Sequence, residues 1–491
     1  MQNSVIQKPR KRATVLWVAA ALQLGAVATV MPVAAHADDA PLSSAGAPQA
    51  GGFGKTEALK LGGAGAMPSE APLFSVSPIQ DGARWLYEHG VYITAGYIGQ
   101  FASNVAGGEK KSGAYAGKVD FGAAFDMKKL ADIDGATINL LFTDDHGTSL
   151  SGKAINSDLS TQNVFVGSQT FQLAVLTWEQ KLFHNTVDLN FGRTDFAFLS
   201  SPLYCDFESH ADCGRISPAL AKNTTTGIYP TAVWGGRAEV NLTPNVFTRF
   251  GIYQPNPDLT AQKSHGFNWS IRTSGVSGGF EAPVELGYRW RNPGAIVDNR
   301  YAIGYIKSQS QFTSTFYSKF PSAGRSQAYV TFQQMLWQPT PGKPSGVYGF
   351  GEGVLDTSGN EEAMHYQYTA GLIWQGPFAS RPGDRAGIMW NQYHMNNLFL
   401  RSEFATRTKE GGTEFPYADQ STLEVNYSFQ FMNWLQIMPN LQYLIHPDGL
   451  GYSPYPKGNL PNAVVVGLSF NVDLAAMAGL PSYSWAAVID N

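Results

Sequence analysis

The chain is poor in charge: only 15% of its 491 residues are Asp, Glu, Lys or Arg, against roughly 25% in soluble domains. It has only two cysteines, and beyond its N-terminus no apolar run long enough to cross a bilayer as a helix. The scarcity of charge argues against a soluble enzyme, and the missing apolar runs argue against a bundle of membrane helices. There is no basic stripe with interleaved aromatics. With a formal net charge of −4, nucleic acid is not expected as a partner. No Gly-x-Ser-x-Gly elbow and no His-Glu-x-x-His helix occurs, so no catalytic residue, metal or cofactor is expected, and the chain does not read as an enzyme. Asp144-Asp145-His146 reads as a solvated loop rather than a metal cluster. Gly349-Phe350-Gly351-Glu352-Gly353 reads as glycine in a strand rather than a nucleotide loop, since no helix follows.

What is abundant points elsewhere. Aromatics reach 13%, and there are 52 glycines. A membrane barrel accounts for this, because its outer face needs apolar side chains while its inner face is polar. At the N-terminus, Lys8, Arg10, Lys11 and Arg12 precede an apolar stretch from Ala13 to Val30, and Ala35-His36-Ala37 fits a small-x-small cleavage site. Residues 1–37 are therefore expected to be a signal peptide, its helix absent from the mature protein. Residues 38–79, rich in Gly, Ala, Pro and Ser, read as a flexible periplasmic leader. Within an exported chain, Cys205 and Cys213 favour a disulfide, whose short loop would contribute about 2–3 kcal/mol. The alternative is a metal site with His210, a spacing that matches no standard zinc pattern.

A short amphipathic stretch at residues 81–88 reads as one or two helical turns. After it, period-2 alternation continues to residue 474. Leu423, Val425, Tyr427, Phe429 and Phe431 oppose Thr422, Glu424, Asn426, Ser428 and Gln430. Leu435, Ile437, Leu441, Tyr443 and Ile445 oppose Gln436, Asn440 and Gln442, and Val464, Val466, Leu468 and Phe470 oppose Ser469 and Asn471. Each strand thus has one apolar and one polar face. The segments run to about ten residues, as a tilted membrane strand requires. Their apolar faces carry Tyr288, Trp290, Tyr366, Trp374 and Trp434 near the ends, as an interfacial girdle would. The expected fold is all-β: a transmembrane antiparallel up-and-down β-barrel of about 16 strands. It would occupy residues 80–474, leaving 475–491 as a C-terminal extension. Long loops such as 194–230 would be extracellular, and the turns at Thr243-Pro244-Asn245 and Met432-Asn433 periplasmic.

Several motifs resemble the carbohydrate-selective porins of the OprB family. Gly371-Leu372-Ile373-Trp374-Gln375-Gly376-Pro377-Phe378, running into Arg381-Pro382-Gly383-Asp384-Arg385, looks like the family's glycine-leucine strand and the turn after it. Trp434-Leu435, Pro439-Asn440-Leu441-Gln442-Tyr443, His446-Pro447 and the closing Ala463 to Leu468 strand resemble its late hairpin. Upstream, Tyr115 to Asp120, Gly192-Arg193, the Cys205/Cys213 loop and Trp234-Gly235-Gly236-Arg237 are in the same style. The resemblance covers roughly residues 80 to 474. It implies a sixteen-stranded outer-membrane barrel that passes monosaccharides and polyols into the periplasm of a Gram-negative bacterium without energy coupling. One departure is the tail after Leu474, where many such barrels end on an aromatic residue. The partners implied are small sugars, outer-membrane lipid and the barrel-insertion machinery, with monomer and homotrimer both open. A general diffusion pore, a barrel for polysaccharide export and an outer-membrane lipase are the competing readings.

A sugar-passing pore needs donors and acceptors that replace water around hydroxyls, a task suited to the planar fork of Arg. Alternation places Arg237, Glu239, Asn241, Arg249, Glu285 and Arg289 on inward faces, along with Lys118, Asp120, Asp188 and Glu424. Mid-strand charges would cost about 2–4 kcal/mol each toward lipid, which favours the lumen. Trp178 is expected inward as a sugar-stacking ring, on the face shared with Gln172, Ala174 and Gln180.

Overall fold

The computed structural model describes residues 77–165, 169–196, 201–209, 218–223, 229–271, 279–313, 321–359, 363–451 and 454–478. The signal and most of the leader, His210, Cys213 and the tail beyond residue 478 lie outside these. Cys205 is disulfide-bonded, and Cys213 is the only other cysteine in the sequence.

A helix α1 (Ser77–Glu88) leads into sixteen strands. They are β1 (Val91–Ala106), β2 (Ser112–Asp126), β3 (Ala136–Gly147), β4 (Phe171–Leu182), β5 (Val187–Thr194), β6 (Val233–Asn241), β7 (Val246–Tyr253) and β8 (Glu281–Trp290). Then come β9 (Asn299–Thr313), β10 (Pro321–Trp337), β11 (Gly346–Asp356), β12 (Met364–Gln375), β13 (Arg385–Met395), β14 (Asp419–Met432), β15 (Leu435–Ile445) and β16 (Ala463–Asp473). Each pairs antiparallel with its sequence neighbours, and β1 pairs with β16 to close the barrel. Closure removes the free edges that an open sheet would expose.

Exposure along the strands gives the two faces. Val284, Leu286 and Tyr288 on β8, and Val466 and Leu468 on β16, point outward. Glu285, between two of them, and Ser469, next to Leu468, are buried inside. The helix before β1 is longer than the one or two turns expected from residues 81–88. One rim carries short links, among them 183–186, 242–245 and 433–434. The other carries the long ones, including 148–170, 195–232, 254–280 and 396–418. In bacterial barrels the short links are periplasmic and the long loops extracellular.

Some inner positions are apolar. Tyr348 and Phe350 of β11, Ile373 of β12 and Met389 of β13 point inward, buried with Met335 of β10. The Phe350 ring lies over Gly371 of the neighbouring strand, where an added Cβ would sit 2.3 Å from it. These residues are dry because the chain folds over them from above.

Candidate functional site

Two long connections enter the barrel. Residues 148–165 lie against β1, β14 and β15. Gln162 Nε2 donates to the Gln100 carbonyl at 2.9 Å, Gln442 Nε2 to the Thr161 carbonyl at 3.0 Å, and Ser157 Oγ to Gln420 Oε1 at 2.9 Å. Residues 201–209 lie against β10 to β14, with Leu203, Tyr204 and Phe207 packed on the apolar inner patch. Arg385 Nη1 pairs with Asp206 at 2.8 Å, and Ser201 Oγ donates to Gln333 Oε1 at 2.6 Å. The two segments meet where Asn163 Nδ2 donates to the Phe207 carbonyl at 2.8 Å. They narrow the lumen from one side. The region 194–230 was expected outside the barrel, yet this part of it lies within. The physical reason is the inward apolar patch, which only the chain itself can cover.

Glu424, expected to line the pore, is instead buried beneath the second segment. Its carboxylate accepts the backbone N–H of Glu208 at 2.9 Å and of Ser209 at 2.7 Å. Burial, with the neighbouring Glu424 charge, pushes the Glu208 carboxyl well above the usual range. Both groups fix the segment rather than face solute.

On the other wall a ladder of charges runs from β4 to β10. Arg249 Nε donates to Glu239 Oε2 at 2.6 Å, and Arg289 Nη1 lies 2.8 Å from Glu239 Oε1. Arg289 Nη2 also donates to Asn241 Oδ1 at 2.6 Å. Glu285 accepts from Arg300 Nη2 at 2.5 Å and from the Tyr329 hydroxyl at 2.9 Å. Asp188 stands across from Glu239 and Lys181, and Arg237 from Asn190. The Phe247 ring lies over Gly287, with the guanidiniums of Arg289, Arg249 and Arg300 at 4.9, 5.2 and 5.5 Å from its centroid. Aromatic faces attract such cations.

Seven residues named from alternation thus come together: Asp188, Arg237, Glu239, Asn241, Arg249, Glu285 and Arg289. Arg249 and Glu285 are almost fully enclosed, whereas the Arg289 side chain keeps 25% exposure and Arg237 is half-buried. Arg300 and Tyr329 were missed, although alternation with Tyr301, Ile303 and Tyr305 marks Arg300 as inward. Lys118 and Asp120 lie apart on β2. There Tyr229, reaching in from the β5–β6 connection, donates to Asp120 Oδ1 at 2.7 Å, and Lys118 Nζ lies 4.4 Å from its ring centroid.

Trp178 is a correction. It pairs with Ile138 and Phe191 on the outer face, while Glu179, buried, takes the inner one. A bulge in β4 at Leu173 to Val175 breaks the alternation. Val175 turns inward with Leu141, covered by Tyr229. An inward apolar residue under a loop is what misleads a period-2 reading.

Among the long connections, Asp448 is buried and accepts the Tyr393 hydroxyl and, at 3.2 Å, the Asp158 N–H. Burial and the Asp158 charge push its carboxyl up to about 7. The folded state then holds a proton that the unfolded chain releases near its lower, ordinary carboxylate value, so this group's stabilisation is complete below that value. It is lost as pH rises toward 7. Asp448→Asn should flatten the slope between pH 4 and 7, read as thermal unfolding midpoints at several pH values. An unchanged slope would assign it to another group.

The sequence profile of the carbohydrate-selective porin, OprB family, matches residues 110–474. The chain belongs to this family. Porin B of Pseudomonas aeruginosa is 25% identical over 409 residues, covering 78% of this chain and 87% of its own. The high-pH structure of Pseudomonas putida OprB shares the fold, with a TM-score of 0.69 and 24% identity over 79% of this chain and 95% of its own. This family member is an outer-membrane porin for sugar diffusion, with the fold of a channel. The Arg381-Pro382-Gly383-Asp384 motif serves its architecture: Asp384 accepts the Tyr427 hydroxyl at 2.9 Å and the Gln430 N–H at 2.9 Å, tying a short link to β14.

Proposed function

We propose that neutral polyhydroxyl solutes of monosaccharide and polyol size pass along the arginine-carboxylate ladder, moving inward to the periplasm. The observation that supports this is charge balance. Four guanidiniums stand among the three carboxyls of Glu239, Glu285 and Asp188, so the wall offers many donors while most of its charge is offset locally. Such a surface exchanges hydrogen bonds with hydroxyls while giving an ion of either sign little preference. Arg237 and Arg289, the most accessible of the four, are the residues proposed to touch solute. Binding there must stay weak, or release would limit flux.

Reconstitution in planar bilayers tests this. Stepwise conductance that monosaccharide reduces in a concentration-dependent way is expected. Arg237→Ala with Arg289→Ala should weaken that block by about 3- to 10-fold, the loss of one or two hydrogen bonds of about 0.5–1.5 kcal/mol. Block that survives unchanged would remove these residues from the path. Conductance with no sugar block would favour a general diffusion pore, and longer glucan chains blocking from the periplasmic side would favour polymer export.

The reading extends to assembly. Residues 1–37 are proposed to be removed on export, 38–79 to remain as a periplasmic leader, and the barrel-insertion machinery to place residues 80–474 in the membrane with 475–491 trailing. Mass spectrometry of the N-terminus after membrane extraction tests the first of these.

A further inference from the structure

The connection after β7 behaves unlike the two that fold inward. Leu259, within the short helix α2 (Pro257–Thr260), is buried with inward residues of the mouth, among them Val233 and Tyr253. The chain then crosses the rim and descends outside the barrel. Leu173 lies beyond the last β4 residue that pairs with β5, and the His265 carbonyl accepts its N–H at 3.0 Å. Gly266 packs against the Leu173 backbone so closely that a Cβ would meet its carbonyl at 2.3 Å. Beside it Arg193, on the outer face opposite Trp234, donates to the Gly266 carbonyl at 3.3 Å. The Arg193 guanidinium lies 5.8 and 5.9 Å from the Trp234 and Trp269 rings, and Trp234 Nε1 donates to the Trp269 carbonyl at 3.3 Å. Residues 265–271 therefore form a strap clamped to the outer wall near the long-loop rim, covering an arginine that would otherwise face lipid.

The strap's free side is apolar. Phe267, Trp269 and Ile271 are exposed, Ile271 at 73%. They continue the exposed outer surface of Phe171, Phe191 and Ile252, the wall of a membrane barrel that meets lipid. Phe267 also neighbours Phe142, which stacks on Phe171 at 5.5 Å. We infer that this strap is a lipid anchor: Phe267, Trp269 and Ile271 insert into the outer leaflet at the level of its headgroup boundary. Continuity with the lipid-facing wall selects this occupant over water or a second copy of the chain. Trp at the boundary suits it, because the indole has an apolar body and a polar N–H.

Cys205 is disulfide-bonded and the sequence has one other cysteine, so among the described residues an introduced cysteine is the one free label site. Ile271→Cys and, separately, Phe267→Cys would carry a nitroxide in the full-length protein reconstituted in phosphatidylcholine vesicles. Ile252→Cys on β7 serves as the reference for the lipid-facing wall. The expected result is collision with dissolved oxygen comparable to the Ile252 label and protection from a water-soluble nickel chelate. Collision with the chelate at both strap sites would place the strap in water and overturn the inference. Protection from both reagents with dipolar broadening would place a second copy there, and would overturn it equally. None of these outcomes depends on which solute the channel passes.

Discussion

Replacing Glu285 by alanine should cost the barrel about 3–5 kcal/mol, the loss expected when one member of a buried charged group is deleted and its partners are stranded. Glu285 is 1% exposed and accepts from Arg300 at 2.5 Å and from Tyr329 at 2.9 Å, with Arg249 Nη1 at 3.7 Å. Without it, two guanidiniums crowd the Phe247 ring with less negative charge between them. The consequence should appear as a lowered midpoint of heat-induced unfolding in detergent, followed by circular dichroism or by gel mobility. Glu285→Gln should lose less, because the amide oxygen still accepts from the Tyr329 hydroxyl. If the alanine variant melts with the parent, the ladder is hydrated enough to replace the carboxylate, and the balanced-wall reading loses its structural basis.

Glu424→Ala should change the channel more than the fold. Its carboxylate holds residues 208 and 209 through two backbone N–H groups at 2.9 and 2.7 Å. Hydrogen bonds to a charged acceptor contribute about 1.5–3 kcal/mol each, here to holding the segment against the wall rather than to closing the barrel. The Arg385–Asp206 pair and the Phe207 packing remain, so the segment should loosen rather than leave. Single-channel recordings should then show larger and noisier conductance with weaker sugar block, while the unfolding midpoint falls only modestly. Conductance indistinguishable from the parent would mean that residues 201–209 do not bound the narrow part of the path. The double variant with Asp206→Ala should amplify the effect, since it removes the second anchor of the same segment.

How much of this was legible beforehand differs by element. The hairpin of β14 and β15 could be read residue by residue, because every second side chain meets lipid and the hydrophobic effect forbids exceptions there. For the same reason Arg237, Glu239 and Asn241 are readable from the sequence as one face of β6. Arg300 was equally readable and was passed over. Trp178 and Glu424 fall in a different class. The face of Trp178 depends on a bulge in β4, and the burial of Glu424 depends on a segment more than two hundred residues earlier in the chain, at Glu208. No local pattern encodes either.

The sequence by itself determined the barrel, its alternating faces and the polar side on which the charges stand, since those follow from chain-local spacing against a bilayer. Only the tertiary structure decided which charges meet, which loops turn inward and which one straps the outer wall. Those outcomes rest on contacts between residues far apart in the chain, where an inward Phe350 or an outward Arg193 makes sense only once its cover is in place.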